Sequence, residues 1–307
     1  MRHRVQLPEH LGKHFSVGQA AEAGIGRRRA DARDLARPFH GVRAVRTPAT
    51  FRAQVQSYAP RMRPGQRLVG RSAARCWGLP YPAQWMPDED LEIAAPQHAS
   101  PPRTVGVAGR HLAESRATTY KIGPVSVIDP IATAFTCASE LTVSQVVVLL
   151  DALLTDADNY PDLIEGRPVS TRAEILERLR SWGRFKGSAT IREALGWARE
   201  KVESPKETET RLAIINDGLP EPIVQHEEYD GWRLVARVDL AYPQWKIAIE
   251  YEGDGHRANK AQWRRDIQRQ RELEDRGWIV IRLTQADLEH SSDFLARIRR
   301  AIASRIA

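Results

Sequence analysis

Two cysteines in 307 residues, Cys76 and Cys137, cannot build a disulfide framework. Neither has Cys or His companions at the spacing of a zinc site, so both read as core thiols of a reducing compartment. Long apolar runs are also missing. The most apolar stretch, Val143 to Leu154, falls short of the roughly 20 residues a bilayer-spanning helix needs. The first residues are polar and basic and lack the apolar core of a secretion signal. The expectation is a cytoplasmic protein with no membrane partner.

Charge is plentiful. Lys and Arg number 46 against 39 Asp and Glu, a formal net charge of +7. That excess favours a polyanionic partner, nucleic acid first among them. A hydrophobic fraction of 42% supports folded cores, and the length suits two or three domains.

Punctuation divides the chain into four stretches. In residues 1–50, Ser16 is placed to cap a short helix through Glu22, and Gly24-Ile25-Gly26 turns the chain. Arg27 to Leu35 reads as a second helix, and Gly41 to Val45 as a strand. Two short helices followed by a strand suggest a winged-helix-like domain. Its second helix would present Arg27, Arg28 and Arg29 to phosphates or base edges. Residues 51–155 read as a small α+β domain. Pro48 to Pro64 looks like the connector into it, and Arg67 to Trp77 like a helix. Strands are expected at Leu91 to Ala94, Thr104 to Val107, Tyr120 to Ile122 and Val125 to Val127. Helices follow at Ile131 to Ala138, behind Asp129-Pro130, and at Ser144 to Leu154. Residues 156–200 read as a helical linker, with helices over Thr171 to Leu179 and Ala189 to Arg199.

Residues 201–307 hold the strongest pattern. Ser204-Pro205-Lys206-Glu207 is a helix start: a cap, a proline at the first turn, and an acid three residues after the cap. Gly218 ends that helix. Ile223 to Tyr229 and Arg233 to Leu240 form a hairpin through Asp230-Gly231, and Trp245 to Tyr251 is the third strand. Asn259 to Asp275 is a helix, Trp278 to Leu283 a strand, and Phe294 to Ile302 lies in a final helix. The order α-β-β-β-α-β-α predicts one mixed sheet flanked by helices. Trp232, Trp245 and Trp278 read as core or sheet cover.

This pattern carries a chemical constellation. Asp239 and Glu250 end two neighbouring apolar strands, where like charges repel unless a cation lies between them. Hard oxygen donors suit Mg2+ or Mn2+, not Zn2+. Asp239 and Glu250 are the expected ligands, with the main-chain carbonyl of Tyr251 as a further oxygen and Glu207 completing the cluster. Glu252 shares its strand face with Glu250 and would take a second ion or orient water. His256 is placed to relay protons near neutral pH. Lys260, Arg265 and Arg269 on the following helix, and Arg211 one turn after Glu207, would hold phosphates, with Asp266 and Ser204 in orienting roles. Activating water, offsetting phosphoryl charge and stabilising the leaving oxygen are tasks that carboxylate-held divalent ions perform in phosphodiester hydrolysis.

On these residues, Ser204 to Ile302 resembles the very-short-patch-repair-type endonuclease-like domain of unknown function, within the PD-(D/E)XK nuclease superfamily. The resemblance rests on Glu207 with Arg211, Asp239, the Glu250-Tyr251-Glu252-Gly253 to His256 segment, Asp266 and Arg269, and Gly277-Trp278 leading into IVIRL. It implies a restriction-endonuclease-like fold and a Mg2+-dependent endonuclease acting on DNA in repair or phage defence. The superfamily's usual lysine, two residues after the second acid, is Glu252 here. That absence is shared by the repair-endonuclease-like branch, where a histidine is the expected participant. The first 155 residues resemble winged-helix antitoxin-like proteins of the AbiEi type found in actinobacteria. The matching pieces are SVGQAAEAGIGRRRA, GRSAARCWGLP and PVSVIDPIATAF, and the resemblance implies DNA binding. Two alternatives stand beside the nuclease. One is a DNA-binding transcriptional regulator or antitoxin whose nuclease fold is inactive. The other is a structural partner in a defence or repair complex. A symmetric double-strand cut would call for a dimer, nicking for a monomer.

Overall fold

The computed structural model describes residues 6–156, 160, 163–252 and 260–306, and only the helix backbone for residues 260–266. Packing divides the chain into two units. One comprises Met1–Leu141, Asp162–Pro168 and Ile175–Ala189; the other comprises Thr142–Pro161, Val169–Glu174 and Thr190–Ala307.

The first unit begins with β1 (His14–Ser16), α1 (Val17–Glu22), α2 (Arg27–Ala30) and β2 (Val42–Ala44), with β1 and β2 antiparallel. Ser16 both ends the strand and caps the helix: its Oγ accepts the Gln19 N–H, and the Gln19 side chain accepts the Ser16 N–H. The second helix stops well before Leu35. Arg43 on β2 donates to the Ala30 carbonyl at 2.7 Å and pairs with Asp31, and Arg29 pairs with Asp34 at 3.1 Å. These bonds satisfy the helix end and turn the chain there.

The expected connector is in fact α3 (Phe51–Tyr58), capped by Thr50. Its Tyr58 ring meets Phe39 edge-on at 5.2 Å, and Ser57 hydrogen-bonds His14 at 2.8 Å. Then follow β3 (Arg67–Leu68), α4 (Gly70–Trp77), β4 (Leu91–Ala95), β5 (Val107–His111), β6 (Thr119–Ile122), β7 (Val125–Ile128) and α5 (Pro130–Cys137). The expected single helix over Arg67 to Trp77 is thus a strand and a helix, and the strand expected to end at Val107 begins there. The five strands lie in the order β5-β4-β3-β7-β6. Gly70 has φ +53°, and a Cβ there would lie 1.9 Å from a Glu92 carboxylate oxygen. That carboxylate caps α4 by accepting the Arg71 N–H at 2.6 Å.

The chain continues through α6 (Val143–Leu153), α7 (Arg172–Trp182) and α8 (Ser188–Trp197) into the second unit's principal elements. These are α9 (Pro205–Asn216), β8 (Ile223–Asp230), β9 (Arg233–Tyr242), β10 (Ile247–Tyr251), α10 (Lys260–Asp275), β11 (Ile279–Leu283), α11 (Gln285–Glu289) and α12 (Ser291–Ile306). The sheet runs β11-β10-β9-β8, with β10 and β11 parallel and the other pairs antiparallel. One face packs Ile247, Ile249, Ile281 and Leu283 against Ile214 of α9 and Phe294, Leu295 and Ile298 of α12. The other packs Ala236, Val238 and Ala248 with Leu273 of α10 and Trp278. The architecture is mixed α+β with separate sheets in each unit.

Two expectations need correction here. Helix α6, read with the middle domain, belongs to the second unit. Its buried Asp151 accepts bonds from Thr208 and Arg211 of α9, each at 2.9 Å. Trp232 is neither core nor sheet cover: it sits fully exposed at the β8–β9 turn.

Candidate active site

The site forms where β9 and β10 part. Their ladder ends at the pair Ile249 and Leu240, whereas β10 stays paired with β11 through Tyr251. Asp239 occupies the gap. Its Oδ2 accepts the Tyr251 N–H at 3.0 Å, replacing the strand partner that this N–H has lost. The alternation of β9 also changes phase here, since Val238 packs on the α10 side of the sheet and Leu240 on the α9 and α12 side. On β8, the ladder to β9 includes Val224 with Leu240 and His226 with Val238 but skips Gln225 with Asp239, and Gln225 has φ +49°.

Glu207 approaches from the first turn of α9. Ser204 caps the helix by accepting the Glu207 N–H at 3.2 Å. The Glu207 carboxylate, however, accepts the N–H of Glu203, not that of Ser204, at 3.0 Å. Gln225 Nε2 donates to the same Glu207 oxygen at 2.9 Å. Glu250, buried at the end of β10, shares the α10 face with Ala248. Its Oε1 lies 3.3 Å from Arg269 Nη2 and its Oε2 lies 4.0 Å from Arg282 Nε. Oε1 has no hydrogen-bond partner despite its burial. Glu252 pairs with Arg282.

The electrostatics tie the acids together. Burial, then the charge of Glu207, pushes the Asp239 carboxyl up to about 8; Glu250 adds to the rise, and the Tyr251 N–H and Arg269 oppose it. Burial likewise raises Glu207, against the hydrogen bonds from Glu203, Ser204 and Gln225. Burial and the neighbouring acids thus favour the protonated form of Asp239, which a bound cation would oppose. The donors are hard oxygens, the buried Glu250 Oε1 is orphaned, and Asp239 keeps its Oδ1 clear of the Tyr251 bond. Both are donors of the kind Mg2+ or Mn2+ takes, although Arg269 already faces Glu250 Oε1. Glu207 does not complete a trio: among the described residues, no three His, Cys, Asp or Glu stand at metal-holding spacing.

Other expected site residues fall elsewhere. Arg211 is fully buried, donating to Asp151 and Glu221 at 2.9 Å each, so it is a packing residue and not a phosphate contact. Arg29 is largely buried in its pair with Asp34, whereas Arg27 and Arg28 face solvent. His256 lies outside the described residues, as do the side chains of Lys260, Arg265 and Asp266. Arg282, Gln225 and Glu203 had not been expected. Arg282 was visible as a lone charge between Ile281 and Leu283, but only the β10–β11 register places it across from Glu250.

Two uncharacterized proteins, from two strains of Mycobacterium tuberculosis, are each 33% identical to this chain over 130 residues, 42% of this chain and 48% of theirs. The chain spans about half the length of these curated relatives. No family model matches it, and no solved structure matches it.

Proposed function

We propose that the second unit is a metal-dependent DNA endonuclease domain with a PD-(D/E)XK-like, restriction-endonuclease-like fold, joined to a winged-helix-like DNA-positioning module. The observation that carries this reading is Asp239, recessed where β9 leaves β10, within electrostatic reach of both Glu207 and Glu250. Asp239 and Glu250 would hold Mg2+ or Mn2+, with the Tyr251 carbonyl as the further oxygen. The ion would polarise the phosphoryl group and lower the pKa of water. Glu207, fixed by Ser204 and Gln225, sets the charge that Asp239 feels. Arg269, 37% exposed beside Glu250, is placed to meet a phosphate oxygen. His256 is the proposed proton relay.

A second reading is favoured by the arginines. Arg269 and Arg282 already offset Glu250, and Arg282 also holds Glu252, which suits a DNA-binding regulator with an inactive nuclease fold. One experiment separates the two. Supercoiled, linear, mismatched, nicked, branched and single-stranded DNA, with an RNA control, are incubated with Mg2+ or Mn2+ beside Asp239→Ala and Glu250→Ala. Metal-dependent cutting lost in both variants supports the endonuclease. Binding without cutting in either metal supports the regulator, and neither binding nor cutting removes both.

A further inference from the structure

The first unit carries an arginine-rich tract that the carboxylate site does not use. A cavity of about 440 Å³ is bordered by Arg37, His40, Arg61 and Arg103, with Phe39 as a buried wall and Val105 at the rim. None of its lining residues is acidic. A second cavity of about 710 Å³ shares Arg37, Phe39 and His40 and brings Arg27 into the same tract, together with Asp31 and Arg43, which pair with each other. The arginines come from three separate segments, so no single helix supplies the charge.

Main-chain bonds hold two of them. Arg61 donates to the His40 carbonyl, and Arg37 donates to the Asp31 carbonyl at 2.9 Å. Asp31 lies 3.9 Å from Arg37 and 3.7 Å from Arg27, and Arg43 already engages it. Arg103 is exposed and makes no ion pair among the described residues. A guanidinium offers five N–H donors, so each arginine keeps several for an incoming anion.

Charge along the chain points the same way. Residues 1–141 hold 20 Lys and Arg against 11 Asp and Glu, a net of +9. Residues 142–307 hold 26 against 28, a net of −2, so the chain's positive excess lies entirely in its first part. An open rim tells a polymer from a small anion. Val105 is 94% exposed and the Arg37 side chain 57% exposed, so the described residues leave the rim open around a free phosphate. Several exposed guanidiniums along a tract instead suit the evenly spaced charges of a nucleic-acid strand, where affinity accrues phosphate by phosphate.

We propose that Arg27, Arg37, His40, Arg61 and Arg103 form a contact surface for the sugar-phosphate backbone of duplex DNA. The surface rests on the DNA-positioning reading of the first unit and names its contact residues; it does not depend on whether the carboxylate site cuts.

The test is fluorescence anisotropy of a labelled duplex on the full chain in EDTA, so cleavage plays no part. Arg61→Gln/Arg103→Gln removes two charges from the tract. Arg299→Gln/Arg300→Gln removes two from α12 as a control. The tract variant should weaken binding by roughly tenfold or more and reduce the salt slope by about two, while the control changes binding less than twofold. Arg103→Gln alone, at an exposed position with no ion pair among the described residues, should keep the wild-type melting temperature and still weaken binding. Equal losses in tract variant and control, or no duplex binding by the wild type, overturn the proposal. So does displacement of the duplex by inorganic phosphate beyond that by chloride at matched ionic strength, which marks a free-phosphate pocket. Binding that passes this test without cutting in Mg2+ or Mn2+ sinks the endonuclease reading alone.

Discussion

The arginine tract of the first unit and the carboxylate site of the second use arginine in opposite ways. In the first, Arg37 and Arg103 stand at the surface around a cavity free of acid, within a stretch of net +9. In the second, whose larger part is net acidic, Arg211, Arg269 and Arg282 each face carboxylates. Free guanidiniums attract a polyanion over a distance; matched ones order a local site and are neutralised in doing so. On the proposed reading, attraction of a polyanion and carboxylate chemistry would fall in separate sequence regions.

The contrast can be tested by breaking it. The largest stability effect should come from Arg211→Ala. It strands the fully buried Asp151, so roughly 3–5 kcal/mol should be lost and the second unit's melting temperature should fall by on the order of 10 °C. Calorimetry that finds under about 1 kcal/mol would show that the pair is solvated.

A pH effect should come next. The folded-state carboxyl of Asp239 is raised to about 8 from an ordinary 3.8, so the folded protein holds this proton more tightly than the unfolded chain. Its contribution to stability is fully present below about pH 4 and is lost as pH rises through about 8. Melting temperature should decline between pH 5 and 9, and Asp239→Asn should flatten that decline. Asp151, raised by burial to about 6, adds a component of the same sign that the variant leaves in place. At pH 8, millimolar Mn2+ should raise the wild-type melting temperature by a few degrees and leave Asp239→Asn unmoved. An equal shift in both proteins would place the ion elsewhere.

The smallest expected effect is at the hairpin tip. Trp232 packs against nothing, so Trp232→Ser should change stability by no more than about 0.5 kcal/mol. A larger loss in urea denaturation would mean that this indole is covered.

Local signals were legible where cap and pattern agreed. Ser16, Asp129 and Ser204 each accept the expected N–H at a helix start. The β8–β9 hairpin turns at Asp230-Gly231, and the α-β-β-β-α-β-α order of the second unit holds, with the short α11 added before the last helix. Errors arose where tertiary contacts set the ends. Arg43 stops α2 from another strand, and prolines on either side hid α3. Trp232 was misplaced because a hairpin can run past the helices that cover its sheet, which alternation alone does not reveal.

For the site, carboxylates at strand ends could be picked out from the chain, and so could the turn of α9 that carries Glu207. Their mutual arrangement could not. Whether Arg211 meets phosphate or Asp151 depends on α6, sixty residues earlier, packing on α9. Whether Gln225 matters depends on a backbone reversal in mid-strand that brings its amide to Glu207.

By itself the amino-acid order determined most element types, several helix caps, the hairpin turn and the uneven spread of charge, because these depend on neighbours a few residues apart or on composition. Tertiary structure alone decided which charges are solvated, which are paired, and which acids lie within electrostatic reach of one another. Those outcomes follow from desolvation and distance, and both are set by segments that meet only after the chain has folded.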